Sequence, residues 1–515
     1  MSDKKEYIVS LKRDVNYDQF WTEMENPTSG LPAVPNRPIE IVNNRDASLR
    51  ICHYSLTDEE AEKLRNDPRV YDVEIPPEQR DDIGLVRRAV QTSDFTKTTS
   101  DTGSYVNWGL RRMIAESNPY TDDTVSGGYT YTLDGTGVDV VIQDSGIQAD
   151  HPEFQDANGI SRVQQIDWFA ASGLAGTMPA GHYTDYDGHG THVAGITAGL
   201  TYGWAKNAKI YSVKVNGLQG DADPNSGISI SNCFDVIKAW HAAKPIDPAT
   251  GAKRPTIVNM SWGYNAFYST VSSMNYRGVT YSGTQIDTGA ERWALGLVPL
   301  TYGPYFKTNV RISSVDVDIQ ELIDAGVHVV IAAGNNYHKI DVSGGTDYNN
   351  YAVTNNGTIY YNRGSSPLDD EAIKVGNVDS DEHAGGLEQA AESSEKGPGV
   401  DIWAPGTNIM SATSNTNAFS GQAYYRNINF KQVNISGTSM AAPQIAGLGA
   451  LYLQLNPEST PAQLKAWLQS QAKTTALYST GLNNDFTNLR SLLGSTNRLA
   501  FQPFNSSIQL RISGS

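Results

Sequence analysis

Short apolar runs rich in β-branched residues alternate, over most of this chain, with longer stretches whose apolar positions recur every three to four residues. The runs at residues 138–142, 209–215, 256–260, 327–332 and 372–375 are dominated by Val, Ile and Ala, the composition of strands buried on both faces. Helical periodicity between them, as at residues 315–325, predicts crossover helices that keep the strands parallel. The expected fold class is therefore α/β, a parallel sheet flanked by helices. In such sheets ligands gather beyond the carboxyl ends of the strands.

The first 80 residues read differently. Residues 7–11 and 69–75 have strand character, and residues 57–66 form a helix opened by Thr57 with Glu60 three positions on, a capping-box pair. Together they predict a small α+β domain over residues 1–80. Pro76-Pro77 and the charged, threonine-rich stretch after them lack apolar periodicity, so residues 81–104 are expected to be a linker. The main domain is then 105–515. Within it, residues 264–312 are rich in Tyr, Ser, Thr and Gly and read as an insertion, residues 412–430 as a polar hairpin, and residues 478–515 as a C-terminal tail.

Composition narrows the partners. With 515 residues the chain exceeds what one hydrophobic core organises, in keeping with two folded units. A formal net charge of −17 repels phosphate backbones, so no nucleic-acid partner is expected. Cys52 and Cys233 are too few for a disulfide framework and read as buried free thiols. The first ten residues lack the apolar core of a secretory signal and no later run is long and apolar enough to span a bilayer, so no membrane partner is expected. The expected location is cytoplasmic, particle-associated or reached by non-classical export.

Candidate chemistry lies in three strings. Ser439 stands in Gly437-Thr438-Ser439-Met440-Ala441-Ala442-Pro443, a turn opening a small-residue helix. Free N–H groups and the positive end of the helix dipole there stabilise developing negative charge. A serine is a weak nucleophile and needs a base within reach and a third group to orient that base. Asp144 ends the apolar run at 138–142 and precedes Ser145-Gly146; alone it also reads as a turn former. His189, in Asp187-Gly188-His189-Gly190-Thr191-His192, precedes a small-residue helix and is a candidate base. His189 and His192 also have the i, i+3 spacing of metal ligands, though no third-ligand motif accompanies them, and no metal site is assigned.

These three strings, in the order Asp, His, Ser, resemble the signatures of the subtilisin-like serine proteases, and the passage Thr201-Tyr202-Gly203-Trp204-Ala205-Lys206 is most similar to the proteinase K-like branch. The resemblance implies a catalytic triad of Asp144, His189 and Ser439. Through Val329-Val330-Ile331-Ala332-Ala333-Gly334-Asn335 it makes Asn335 the side-chain donor of an oxyanion hole. Through Asn259-Met260-Ser261-Trp262-Gly263 it makes Ser261, Trp262 and Gly263, with Ala333 and Gly334, a substrate-binding edge. Trp262 stands where leucine is commoner and reads equally as a core aromatic. No cofactor is required for catalysis; structural calcium remains without assigned residues, and Glu153 reads as a surface carboxylate rather than a ligand. The N-terminal unit resembles the family propeptide, an intramolecular partner, with processing expected between residues 77 and 104 and the mature chain beginning near Val106-Asn107-Trp108.

The function implied is a serine endopeptidase acting on peptide or protein substrates, made as a self-inhibited precursor. Two other readings stay open: a latent or structural protein of the same fold kept capped by its N-terminal unit, and a serine esterase or amidase.

Overall fold

The computed structural model describes residues 4–26, 37, 39–45, 47–80, 82–87, 89–90, 107–120, 131–218, 221–223, 225–248, 250–480 and 488–502. All five apolar runs are strands of one sheet: Asp139–Asp144, Lys209–Lys214, Thr256–Met260, His328–Ala332 and Ile373–His383. Across the sheet the order is Leu387–Ala390, Ile373–His383, His328–Ala332, Thr256–Met260, Asp139–Asp144, Lys209–Lys214, Val163–Gln164, and Ile402–Pro405 also lies beside Ile373–His383. Leu387–Ala390 joins antiparallel, and the others pair parallel.

Successive side chains of a strand point to opposite faces. Val140 and Ile142 therefore pack in the core shared with helices His189–Ala198 and Thr438–Leu455, whereas Val141 packs with Ile230–Ala243 and Ser313–Asp324 on the other face. Two covered faces explain why the runs are continuously apolar, each buried Val or Ile contributing about 1.5–3 kcal/mol relative to exposure.

The N-terminal unit is a four-stranded antiparallel sheet in the order Glu40–Asn44, Ile51–Leu56, Lys5–Leu11, Val70–Glu74, with helices Tyr17–Glu25 and Asp58–Arg65. The capping box of Thr57 and Glu60 is formed. This unit rests on the two helices of the second face. Arg45 is buried between Asp235 and Asp318, at 2.8 and 2.6 Å. Ser313 Oγ donates to Asp72 Oδ2, and the Ser314 N–H, at the start of its helix, donates to Glu74 Oε1. Ile8 and Ile51 pack on Val317.

The stretch expected to be a linker is not featureless. Ile83–Arg87 is a strand antiparallel to Trp262–Tyr268, in register Trp262 with Arg87 and Gly263 with Val86. Ala89–Val90 pairs antiparallel with Ser436–Gly437. Its sequence carried no strand signal because both partners lie far away along the chain. Residues 91–104, and Val106 of the expected mature start, lie outside the described residues; Trp108–Arg112 is a helix whose Trp108 is buried in the main core.

Residues 264–312, read as an insertion, are folded. Val271–Tyr276 and Val279–Ser282 form a sheet with Tyr351–Thr354 and Gly357–Tyr360, over a small core of Met274, Ile286, Leu295, Leu297, Ala352 and Tyr361. Tyr305–Asn309 pairs with the other edge of Trp262–Tyr268. Of the expected tail, Leu492, Leu499 and Ala500 are buried in the two main cores, and residues 503–515 lie outside the described residues. In the stretch read as a polar hairpin, Gln422–Tyr424 folds back on Asn427–Gly437.

Candidate active site

Asp144 is the last residue of a central strand, with parallel neighbours on both sides, so its backbone is fixed and its carboxylate emerges at the carboxyl end of the sheet. Its Oδ1 lies 2.8 Å from His189 Nδ1 and also accepts the Ser145 N–H. His189 is the first residue of the helix His189–Ala198, entered through Gly188 at φ +93°, a left-handed conformation that favours glycine. Gly190 brings that helix against the Asp144 turn. A methyl group there would sit 2.1 Å from the Gly146 carbonyl oxygen.

A residue that sequence reasoning did not single out holds this junction together. Asp185, buried, accepts from Ser145 Oγ, from the Asp187, Gly188 and Thr191 N–H groups, and from Thr191 Oγ1. One carboxylate thus ties the turn after Asp144 to the start of the His189 helix. Burial raises its pKa against the opposing pull of these donors. The available signal was a carboxylate four residues before His189, in Asp185-Tyr186-Asp187-Gly188.

Ser439 is the second residue of the helix Thr438–Leu455, which packs on the His189 helix in one core. Its Oγ donates to the Ser261 carbonyl at 3.0 Å, and Ser261 Oγ returns a bond to the Ser439 carbonyl at 3.1 Å. Among the described residues His189 Nε2 has no hydrogen-bond partner. Asn335 is anchored by its oxygen, which accepts from the Thr438 N–H and Thr438 Oγ1 at 3.0 and 3.1 Å. This leaves its amide Nδ2 as a buried donor with no partner among the described residues. Gly334, at φ +120°, donates its N–H to Thr438 Oγ1, so the Ala333-Gly334-Asn335 edge is laced to the Ser439 turn.

The structure therefore joins Asp144 to His189, sets Ser439 at a helix N-terminus in the same core, and lashes Asn335 to the residue before Ser439. Trp262 and Gly263 lie on an edge paired with Arg87 and Val86, and Ser261 immediately precedes that strand. The Trp262 ring is fully buried against Phe234 and Tyr264, which makes it a core aromatic. His192 is not beside His189 as a ligand. Its Nε2 faces the Ile409 and Val433 carbonyls at 3.1 and 3.0 Å, a neutral donor whose pKa burial lowers to about 3.

Glu153 is not a surface carboxylate. It is fully buried, Oε2 accepting from the Thr201 and Tyr202 N–H groups and Oε1 from the Tyr424 hydroxyl. The reading failed because these donors come from a loop and a strand remote in sequence. Both oxygens are engaged by N–H and O–H donors, a set that does not suit a cation. Among the described residues no three His, Cys, Asp or Glu side chains gather as a metal site, and no helix is long and apolar enough to cross a membrane.

A parallel sheet with an Asp–His pair at its carboxyl end, and a serine at the start of a helix packed in the same core, defines a class, and comparison with known proteins gives it a family. The Subtilase family profile, Peptidase_S8, matches residues 135–490. The chain belongs to the subtilase family of serine proteases. It is 28% identical over 422 residues to the Extracellular serine proteinase of Thermus sp. (strain Rt41A), covering 82% of this chain and 70% of that one. It is 26% identical over 458 residues to Alkaline serine exoprotease A of Vibrio alginolyticus, covering 89% and 61%. It is 29% identical over 366 residues to Proteinase T of Parengyodontium album, covering 70% and 85%. The chain thus spans about two thirds of the length of the first two relatives. The N-terminal α+β unit lies outside the matched profile.

Proposed function

We propose that this chain is a serine endopeptidase whose triad is Asp144, His189 and Ser439, made as a precursor restrained by its own N-terminal unit. The observation that carries the reading is the 2.8 Å bond between Asp144 and His189 Nδ1, in one core with the Ser439 helix. Asp144 fixes the tautomer with Nδ1 protonated, leaving Nε2 to act as base. Ser439 Oγ turns from the Ser261 carbonyl toward Nε2, gives up its proton there and bonds to the substrate carbonyl carbon. The resulting oxyanion is met by Asn335 Nδ2 and the Ser439 N–H. The imidazolium then protonates the leaving amine as the C–N bond breaks, giving an acyl-enzyme that water hydrolyses by the reverse relay.

The pairing of Ile83–Arg87 and Ala89–Val90 supports the restraint. An extended segment uses the Trp262–Tyr268 edge on one side of Ser439 and Ser436–Gly437 on the other, the way an edge strand receives a peptide. Self-processing is then expected between residues 87 and 90, within the 77–104 window. Incubation of the purified chain should yield a product shortened by the first 88 residues and active on peptides, while Ser439→Ala should remain full length and inactive. An inert, uncut wild-type chain would favour the latent, capped reading instead; a Ser439→Ala chain as active as wild type would refute the triad.

A further inference from the structure

Beneath the two edges that flank Ser439 lies a buried polar group that the relay does not use. Glu395 is fully buried, and its N–H donates to the Gly334 carbonyl at 2.8 Å. Its side chain lies directly against Gly334: a methyl group there would meet Glu395 Cγ at 2.7 Å, so only glycine leaves room. Oε1 is held by Asn309 Nδ2 at 2.8 Å and by the Asn336 N–H at 3.1 Å. Asn336 Nδ2 in turn donates to Asn265 Oδ1 and Asn309 Oδ1 at 2.6 and 2.7 Å. Asn265 sits three residues past Trp262 on the substrate-pairing strand, Asn309 is its cross-strand partner, and Asn336 follows Asn335. A carboxylate is thus fixed by neutral amides at the base of the space between the Trp262-Gly263 and Gly334-Asn335 edges.

The chain's own extended segment pairs with an edge on each side of this space. Arg87 is the last residue paired with the Trp262 edge and Ala89 the first paired with Gly437, two residues from Ser439. The residue between them in sequence is Arg88, in the run Arg87-Arg88-Ala89. A substrate held in this register offers the nucleophile the carbonyl of that intervening position, and its side chain enters between the two edges. We propose that Glu395 is the charge at the floor of the pocket for the side chain preceding the cut bond, and that this protease cleaves after arginine or lysine. The inference rests on the endopeptidase reading above. A fixed anion in a dry site attracts a guanidinium or an ammonium far more strongly than in water, and an apolar side chain there gains no such attraction, so the pocket selects by reward.

The test is a set of internally quenched peptides differing only at that position, Arg, Lys, Leu, Phe or Ala, cut by the self-processed wild-type enzyme and by Glu395→Gln. Wild type should favour Arg and Lys over Phe and Leu by at least about 30-fold in kcat/KM. Glu395→Gln, which keeps the shape and the bond from Asn309, should lose that margin, the ratio of kcat/KM on the Arg and Lys peptides to that on the Leu and Phe peptides falling by at least about tenfold. In the precursor, Arg88→Leu should slow removal of the N-terminal unit. Wild type cutting all the peptides with no basic preference, or preferring Phe, overturns the inference and leaves the endopeptidase reading standing. Hydrolysis of none of them removes both. Should Glu395→Gln not accumulate as folded protein, the wild-type series and the Arg88→Leu precursor decide.

Discussion

At the scale of single residues, the site consists of groups whose donors and acceptors are used on one side and left open on the other. Asn335 is the clearest case, its oxygen committed to Thr438 and its Nδ2 without a partner among the described residues. Replacing it with Ala should lower kcat by about 10²–10³ with little change in KM, the loss produced when one oxyanion donor is removed; an unchanged kcat would take Asn335 out of the hole. Asp144→Asn should cost more, about 10⁴ in kcat, because an amide at that position favours the wrong imidazole tautomer. The strings around Asp144, His189 and Ser439 stood out in the sequence because each is a local turn of a few residues at the end of a strand or the start of a helix. Asp185, Glu153 and Glu395 were not. Each is defined by partners from separate segments, Asp185 by Ser145 and Thr191, Glu153 by Thr201 and Tyr424, Glu395 by Asn309 and Asn336.

At the scale of elements, the continuously apolar runs revealed the parallel sheet, since strands covered on both faces need no polar alternation. Elements that depend on a distant partner stayed hidden. Ile83–Arg87 gains its ladder from Trp262–Tyr268, and the strands of residues 264–312 gain theirs from Tyr351–Tyr360 as much as from one another. The approach of the His189 helix to the Asp144 turn also depends on atoms that sequence does not place together. Gly190→Ala should therefore be severe: a methyl group 2.1 Å from the Gly146 oxygen must push the two elements apart. Activity should fall by about 10²-fold or more, the scale of a 1 Å misplacement of catalytic groups, even where thermal unfolding shows a folded chain; near wild-type turnover would show that the junction tolerates the shift.

At the scale of the whole molecule, the N-terminal unit docks through carboxylates. Burial raises the Glu74 carboxyl to about 7 although the Ser314 N–H bonds it, and Asp318 is likewise raised by burial and by Asp235, against the pull of Arg45. A carboxyl whose pKa is raised on docking takes up a proton, so docking is unaffected below the ordinary carboxylate pKa and weakens as pH rises through about 7. After self-processing, the severed unit should co-elute with the main domain at pH 5 and separate more readily at pH 8, with Glu74→Gln narrowing the difference; tighter association at pH 8 would contradict this linkage. The central claim is that Asp144, His189 and Ser439 act as one relay, and it is tested most directly by locating a fluorophosphonate adduct on the processed enzyme by peptide mass spectrometry. The account predicts an adduct on Ser439 in wild type and its loss in His189→Ala. An adduct confined to another residue, or undiminished labelling of Ser439 without His189, would contradict it.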